Sequence, residues 1–123
     1  MRKIAASMFM IGILLAAGIA GAATVDISWT NPTTYNDGSP IATVDQANIV
    51  TSVYVGGTIS GPWTLVGTSV AGGTSLTGAS VTMTRGTTYY FTAKSTLNSM
   101  TSAYGTPTSY LYPNLAPAAP GSP

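Results

Sequence analysis

The chain has 123 residues, enough for one domain with its own core and too few for two of ordinary size. It is 45% hydrophobic and 6% charged, with no Cys, His or Glu, which fits a turn-rich sheet protein and excludes a disulfide scaffold, a lipidated cysteine anchor and thiolate or imidazole chemistry. The net charge of +1 includes Arg2 and Lys3; beyond residue 22, Arg85 and Lys94 stand against Asp26, Asp37 and Asp45, and no basic face remains for nucleic acid.

Arg2 and Lys3, the apolar run over residues 11–20 and the small residues Ala20-Gly21-Ala22 read as a signal peptide covering residues 1–22, cleaved after Ala22 or Ala23. The competing reading is an uncleaved anchor, because residues 4–23 hold Ser7 as their one polar residue and approach the length of a membrane span. Ala and Gly crowd the end where an anchor would carry Leu and aromatics, which favours cleavage. Either way the remaining chain is expected outside the cytoplasm: secreted, periplasmic or at the cell surface. The membrane enters only through an uncleaved N-terminal segment.

The next stretch, "TVDISW", alternates Val25, Ile27 and Trp29 with Asp26 and Ser28, the period of a half-buried strand over residues 24–30. "NPTTYNDGSP" gathers turn residues and predicts a loop. "NIVTSVYVGG" alternates Ile49, Thr51, Val53 and Val55 with Val50, Ser52 and Tyr54, a second strand closed by Gly56-Gly57. "GPWTLVGTSV" predicts a third, ended by Gly72-Gly73, and "TSLTGASVTMT" a weaker fourth interrupted at Gly78. "TTYYFTAKS" is the strongest strand signal in the chain, and "TPTSYLY" is the last, with Pro107 implying a strand start or an edge. Short strands at this spacing predict an all-β sandwich or small barrel.

Four of these stretches also carry a family resemblance. "VDISWTNPTTYNDGSPI", "GPWTLVGT", "TRGTTYYFTAKSTLNS" and "SAYGTPTSY" resemble, in that order, strand B with its following loop, strand C′, the turn into strand F, and the start of strand G of a fibronectin type III domain. The resemblance implies an immunoglobulin-like antiparallel β-sandwich of about six to seven strands over residues 23–112, with the first strand short or missing. Trp29 matches the family's buried strand B tryptophan. Gly86, Thr87 and Tyr89 match its Gly-Thr-x-Tyr tyrosine corner. On that alignment Tyr89, Phe91 and Ala93 point into the core, and Trp29, Tyr89 and Phe91 form its structural centre. Tyr90, Thr92 and Lys94 then point outward, Tyr90 lies beside Tyr54, and the Tyr89 hydroxyl needs a backbone acceptor. A first strand lost to processing leaves strand B as a bare edge.

No cofactor, metal or catalytic residue is assigned, and the chain is read as a non-enzyme. Asp37 and Asp45 flank one loop but sit among Asn, Gly, Ser and Pro, where carboxylates serve as turn formers rather than as an acid pair or calcium ligands. The candidate binding residues are Tyr54, Tyr90 and Lys94, an exposed aromatic pair with a cation. Two functions fit. One is an extracytoplasmic module binding a protein or glycan in adhesion at the cell surface. The other is a self-assembling structural subunit of an extracellular fibre or surface layer, joined by strand addition. Residues 113–123, with Pro113, Pro117, Pro120 and Pro123, read as a Pro-rich tail or linker, and the tail is also a candidate docking strand for the bare edge.

Overall fold

The computed structural model describes residues 14–16 and 21–112; the rest of the expected signal peptide and the whole Pro-rich tail lie outside the described residues. Within them the chain is an antiparallel sandwich of two sheets. One sheet is built from β1 (Leu14–Ala16), β2 (Gly21–Ser28) and β5 (Ser75–Met83), in the order β1-β2-β5. The other has β4 (Thr64–Thr68), β3 (Val50–Gly56) and β6 (Thr88–Leu97) side by side, with β7 (Met100–Thr101) and β8 (Thr108–Leu111) both pairing β6. A four-residue helix, α1 (Thr43–Gln46), precedes β3 where no helix was expected.

The first strand is short, as the resemblance implies, but its source is unexpected. Leu14, Leu15 and Ala16 pair with Asp26, Val25 and Thr24, so β1 falls inside the segment that reads as a signal peptide. In the full chain β1 covers the edge of β2 over residues 24–26, and cleavage after Ala22 or Ala23 would remove that cover. The paired part of β2 begins at Gly21, earlier than the alternation signalled, because Gly21, Ala22 and Ala23 continue the ladder with Met83, Thr82 and Val81. Small residues carry no amphipathic signature, and the backbone pairs there without one.

Period-two alternation places the core. Val25, Ile27 and Trp29, with Val81 and Met83 beside them in the same sheet, pack against Val53, Phe91 and Ala93 of the other, with Phe91 fully buried and Trp29 only 5% exposed. Burial of each large side chain contributes about 1.5–3 kcal/mol by area. A smaller cluster of Tyr35, Ile41, Ile49 and Leu97 fills one end of the sandwich. Between the two clusters lies a polar layer. The Trp29 indole N–H and the Thr51 hydroxyl both donate to Asn31 Oδ1, at 2.8 and 2.9 Å, and Asn31 Nδ2 donates to the Gly73 carbonyl at 3.1 Å. Thr51 also shares a hydrogen bond with Ser95 at 3.2 Å, and its backbone N–H donates to the Ser69 hydroxyl. Among the described residues no buried side-chain polar atom lacks a partner, so the layer avoids the desolvation cost that would otherwise oppose folding.

The tyrosine corner forms with the opposite hydrogen-bond sense to that expected. The Tyr89 hydroxyl accepts from the Thr84 backbone N–H at 2.7 Å, tying the turn before β6 to the strand itself. β6 then turns into β7 through Asn98 and Ser99, both in the left-handed region (φ 52° and 67°), as a two-residue hairpin requires.

Candidate functional site

Between β7 and β8 the edge of the five-stranded sheet is irregular. Ser102 N–H donates to Ser95 and Gly105 N–H to Ala93, yet Thr108 pairs Phe91, so surplus residues bulge out of the ladder between Ser102 and Thr108. A bulge re-aims the side chain it carries, and here that side chain is Tyr104. The segment folds over the outer face of β6. The Thr92 hydroxyl donates to the Gly105 carbonyl at 2.6 Å, and Thr92 is fully buried, although its place in the strand points it outward and solvent was expected there.

Tyr104 becomes the centre of an aromatic cluster. Its ring meets Tyr54 edge-on, with centroids 5.2 Å apart and planes at 88°, and meets Trp63 at 5.7 Å and 43°. Lys94 Nζ sits 4.1 Å from the Tyr104 ring centroid, a cation–π contact. Three elements supply the parts: β3 presents Tyr54, β6 presents Lys94, and the loop from β3 to β4 brings Trp63. That loop closes through Gly61 in the left-handed region (φ 85°) and a hydrogen bond from the Thr58 hydroxyl to the Gly61 carbonyl. The indole lies across two glycines. A Cβ on Gly56 would stand 2.9 Å from Trp63 Cε3 and one on Gly61 3.0 Å from Cδ1, so the ring's seat exists because neither residue has a side chain.

Of the candidate binding residues, Tyr54 and Lys94 are brought together, bridged by Tyr104. The expected pairing of Tyr54 with Tyr90 is not formed as such. The register sets Tyr54 opposite Thr92 and Tyr90 opposite Gly56, one pleat repeat further along the sheet. Tyr104 and Trp63 were not expected in the site. The sequence signal for Tyr104 was the Gly105 and Pro107 that follow it, and for Trp63 the glycines at 56, 57 and 61.

The three acidic residues beyond residue 22 lie elsewhere. Asp26 accepts from the Gly78 N–H at 2.8 Å, Asp37 accepts from the backbone N–H and the hydroxyl of Ser39 within its turn, and Asp45 belongs to α1. Arg85, in the turn before β6, lies 4.9 Å over the Tyr112 ring, so among the described residues Lys94 is the cation at the aromatic face. Tyr110 has its pKa raised above 10.0, by burial first and then by Tyr112.

Apart from the aromatic cluster, a cleft of about 420 Å³ opens between the edges of β4 and β5. Val55, Leu65, Val66, Val81 and Tyr89 are among its lining residues. No charged residue lies in either strand, and Leu65 is exposed beside the opening.

The sequence matches no protein-family model and no curated protein. Among solved structures, the chain is similar to the sixth fibronectin type III domain of human fibronectin type III domain containing protein 3, with a TM-score of 0.54, 12% identity and 95% of both chains covered. The solution structure of a fourth fibronectin type III domain, also human, aligns at a TM-score of 0.53 and 13% identity over 94% of this chain and 86% of that one. The twitchin kinase region from C. elegans aligns at a TM-score of 0.55 and 16% identity over 90% of this chain, which spans 17% of that multidomain chain.

Proposed function

With the fibronectin type III fold as premise, we propose that the chain is a non-catalytic extracytoplasmic module that binds a protein or glycan in adhesion at the cell surface. The observation that carries this reading is the cluster of Tyr54, Trp63, Tyr104 and Lys94. None of these side chains belongs to either core cluster, so the domain closes without them. Aromatic rings packed on one another and partly exposed beside one cation have the composition of a binding hot spot. The charged and apolar N-terminus supports export, and a chain without His, Cys or Glu has little with which to assemble a catalytic site. Retention of the purified protein on washed envelopes of the producing cells tests the reading. Tyr104→Ala should abolish retention while keeping the thermal midpoint; equal retention of variant and wild type would refute it.

A self-assembling structural subunit is the second reading, favoured by the facing edges of β4 and β5. Natural edge strands are usually guarded by charge or proline, and these carry neither. Thr82→Lys on β5 should then shift the elution of assembled protein to that of a monomer.

A further inference from the structure

Resting on the binding reading above, we propose that the aromatic face takes a glycan, with a pyranose ring stacked on the solvent side of Trp63 and against Tyr104. The C–H groups on one side of a pyranose carry partial positive charge and match the negative face of an aromatic ring. A stacking platform must be held flat and open. Trp63 is seated on Gly56 and Gly61, where a Cβ would approach ring atoms to 2.9 and 3.0 Å, yet the residue remains half-exposed. The inclination of 43° to Tyr104 makes the second ring a side wall rather than an extension of the plane.

The surroundings favour a sugar over a protein partner. Next to the rings the outer face is a field of hydroxyls, including the Ser52–Thr68 and Thr96–Thr101 pairs, each at 3.0 Å. Such a surface hydrogen-bonds a polar rim and offers little apolar area, with Leu65, opposite Tyr54, as the exposed aliphatic side chain of the adjoining strand. A stable protein interface buries about 800 Å² on each partner. The three rings, at 5.2 and 5.7 Å between centroids, have the footprint of one or two sugar units. Charge points the same way: Lys94 stands on the face, and Asp26, Asp37 and Asp45 are all held elsewhere, so the complement is neutral or anionic.

The two tryptophans make the test internal. Trp29 is buried with its N–H bonded to Asn31, and Trp63 lies on the face, so the two indole N–H signals of the ¹⁵N-labelled full chain report core and site separately. Chitohexaose, cellohexaose and polygalacturonate are the probes, covering N-acetylated, neutral and anionic pyranose rings. At least one should shift the Trp63 signal with Trp29 unmoved, and Trp63→Ala should weaken its binding at least about tenfold in titration calorimetry. A Trp63 signal indifferent to all three, or binding that survives Trp63→Ala, overturns the glycan assignment. Tyr104-dependent retention on envelopes would then still stand and would assign the face to a protein. A shift caused instead by a synthetic peptide of residues 113–123 would likewise overturn it, in favour of the tail of a second copy.

Discussion

Gly56→Ala is the sharpest probe of how the aromatic face is built. A Cβ at position 56 would lie 2.8 Å from the Pro62 carbonyl oxygen and 2.9 and 3.0 Å from Cε3 and Cζ3 of Trp63, all inside ordinary van der Waals separation. The backbone at Gly56 is not in the left-handed region, so alanine by itself suits the strand and would add about 0.5–1 kcal/mol over glycine. Against that, overpacking of this kind costs about 1–3 kcal/mol. The net expectation is a loss of about 1 kcal/mol, or about 4–8 °C in Tm for a domain of this size. Because the ring yields more readily than the backbone carbonyl, Trp63 should lift and its fluorescence emission should move to the red. Repeating the substitution in a Trp63→Ala background removes two of the three clashes, so the cycle should show about 1 kcal/mol of coupling. A Gly56→Ala protein as stable as wild type or more so, with unchanged emission, would mean that Trp63 does not lie on Gly56.

Further outcomes concern the core and its titration. Trp29→Ala should cost about 3–5 kcal/mol in denaturant unfolding, enough to unfold a marginal domain. Tyr90→Ala, off the core, should leave the midpoint nearly unchanged. Asn31→Ala removes the acceptor shared by the Trp29 N–H and the Thr51 hydroxyl and the donor to the Gly73 carbonyl, and should cost about 2 kcal/mol. Stability should fall as pH rises above 10.0, because the unfolded chain ionises Tyr110 there while the folded chain, with its pKa raised, still holds the proton. Tyr110→Phe should flatten that part of the pH profile of Tm.

The strands that sequence made legible are those in which alternation coincides with burial on one side. Val25, Ile27 and Trp29 mark β2, and Phe91 and Ala93 mark β6. Those it left obscure lack that coincidence. β1 and the start of β2 are built where apolar and small residues follow one another without alternation, a pattern that reads as an export signal and hides the strand pairing. α1 has four residues, none buried, too short for a periodic signal. Asn31 looked like a loop residue because its role is set by Trp29, two residues before it, together with Thr51 and Gly73, brought to it by two distant segments.

The candidate site divides along the same line. Tyr54 and Lys94 stand at regular positions of β3 and β6, so strand period alone puts them on the outer face. Tyr104 and Trp63 reach that face through irregular backbone, a bulge in one case and a glycine-rich loop in the other. Period-two reasoning cannot find a side chain whose direction is set by a break in the period. Regular strands fix which face is presented, and the two irregular segments then lay an aromatic surface over it from opposite edges. Shortening the bulge by one residue should therefore remove the Tyr104 contacts with Lys94 and Tyr54 while leaving β6 paired to β3, which would be seen as loss of envelope retention in a domain that still unfolds cooperatively.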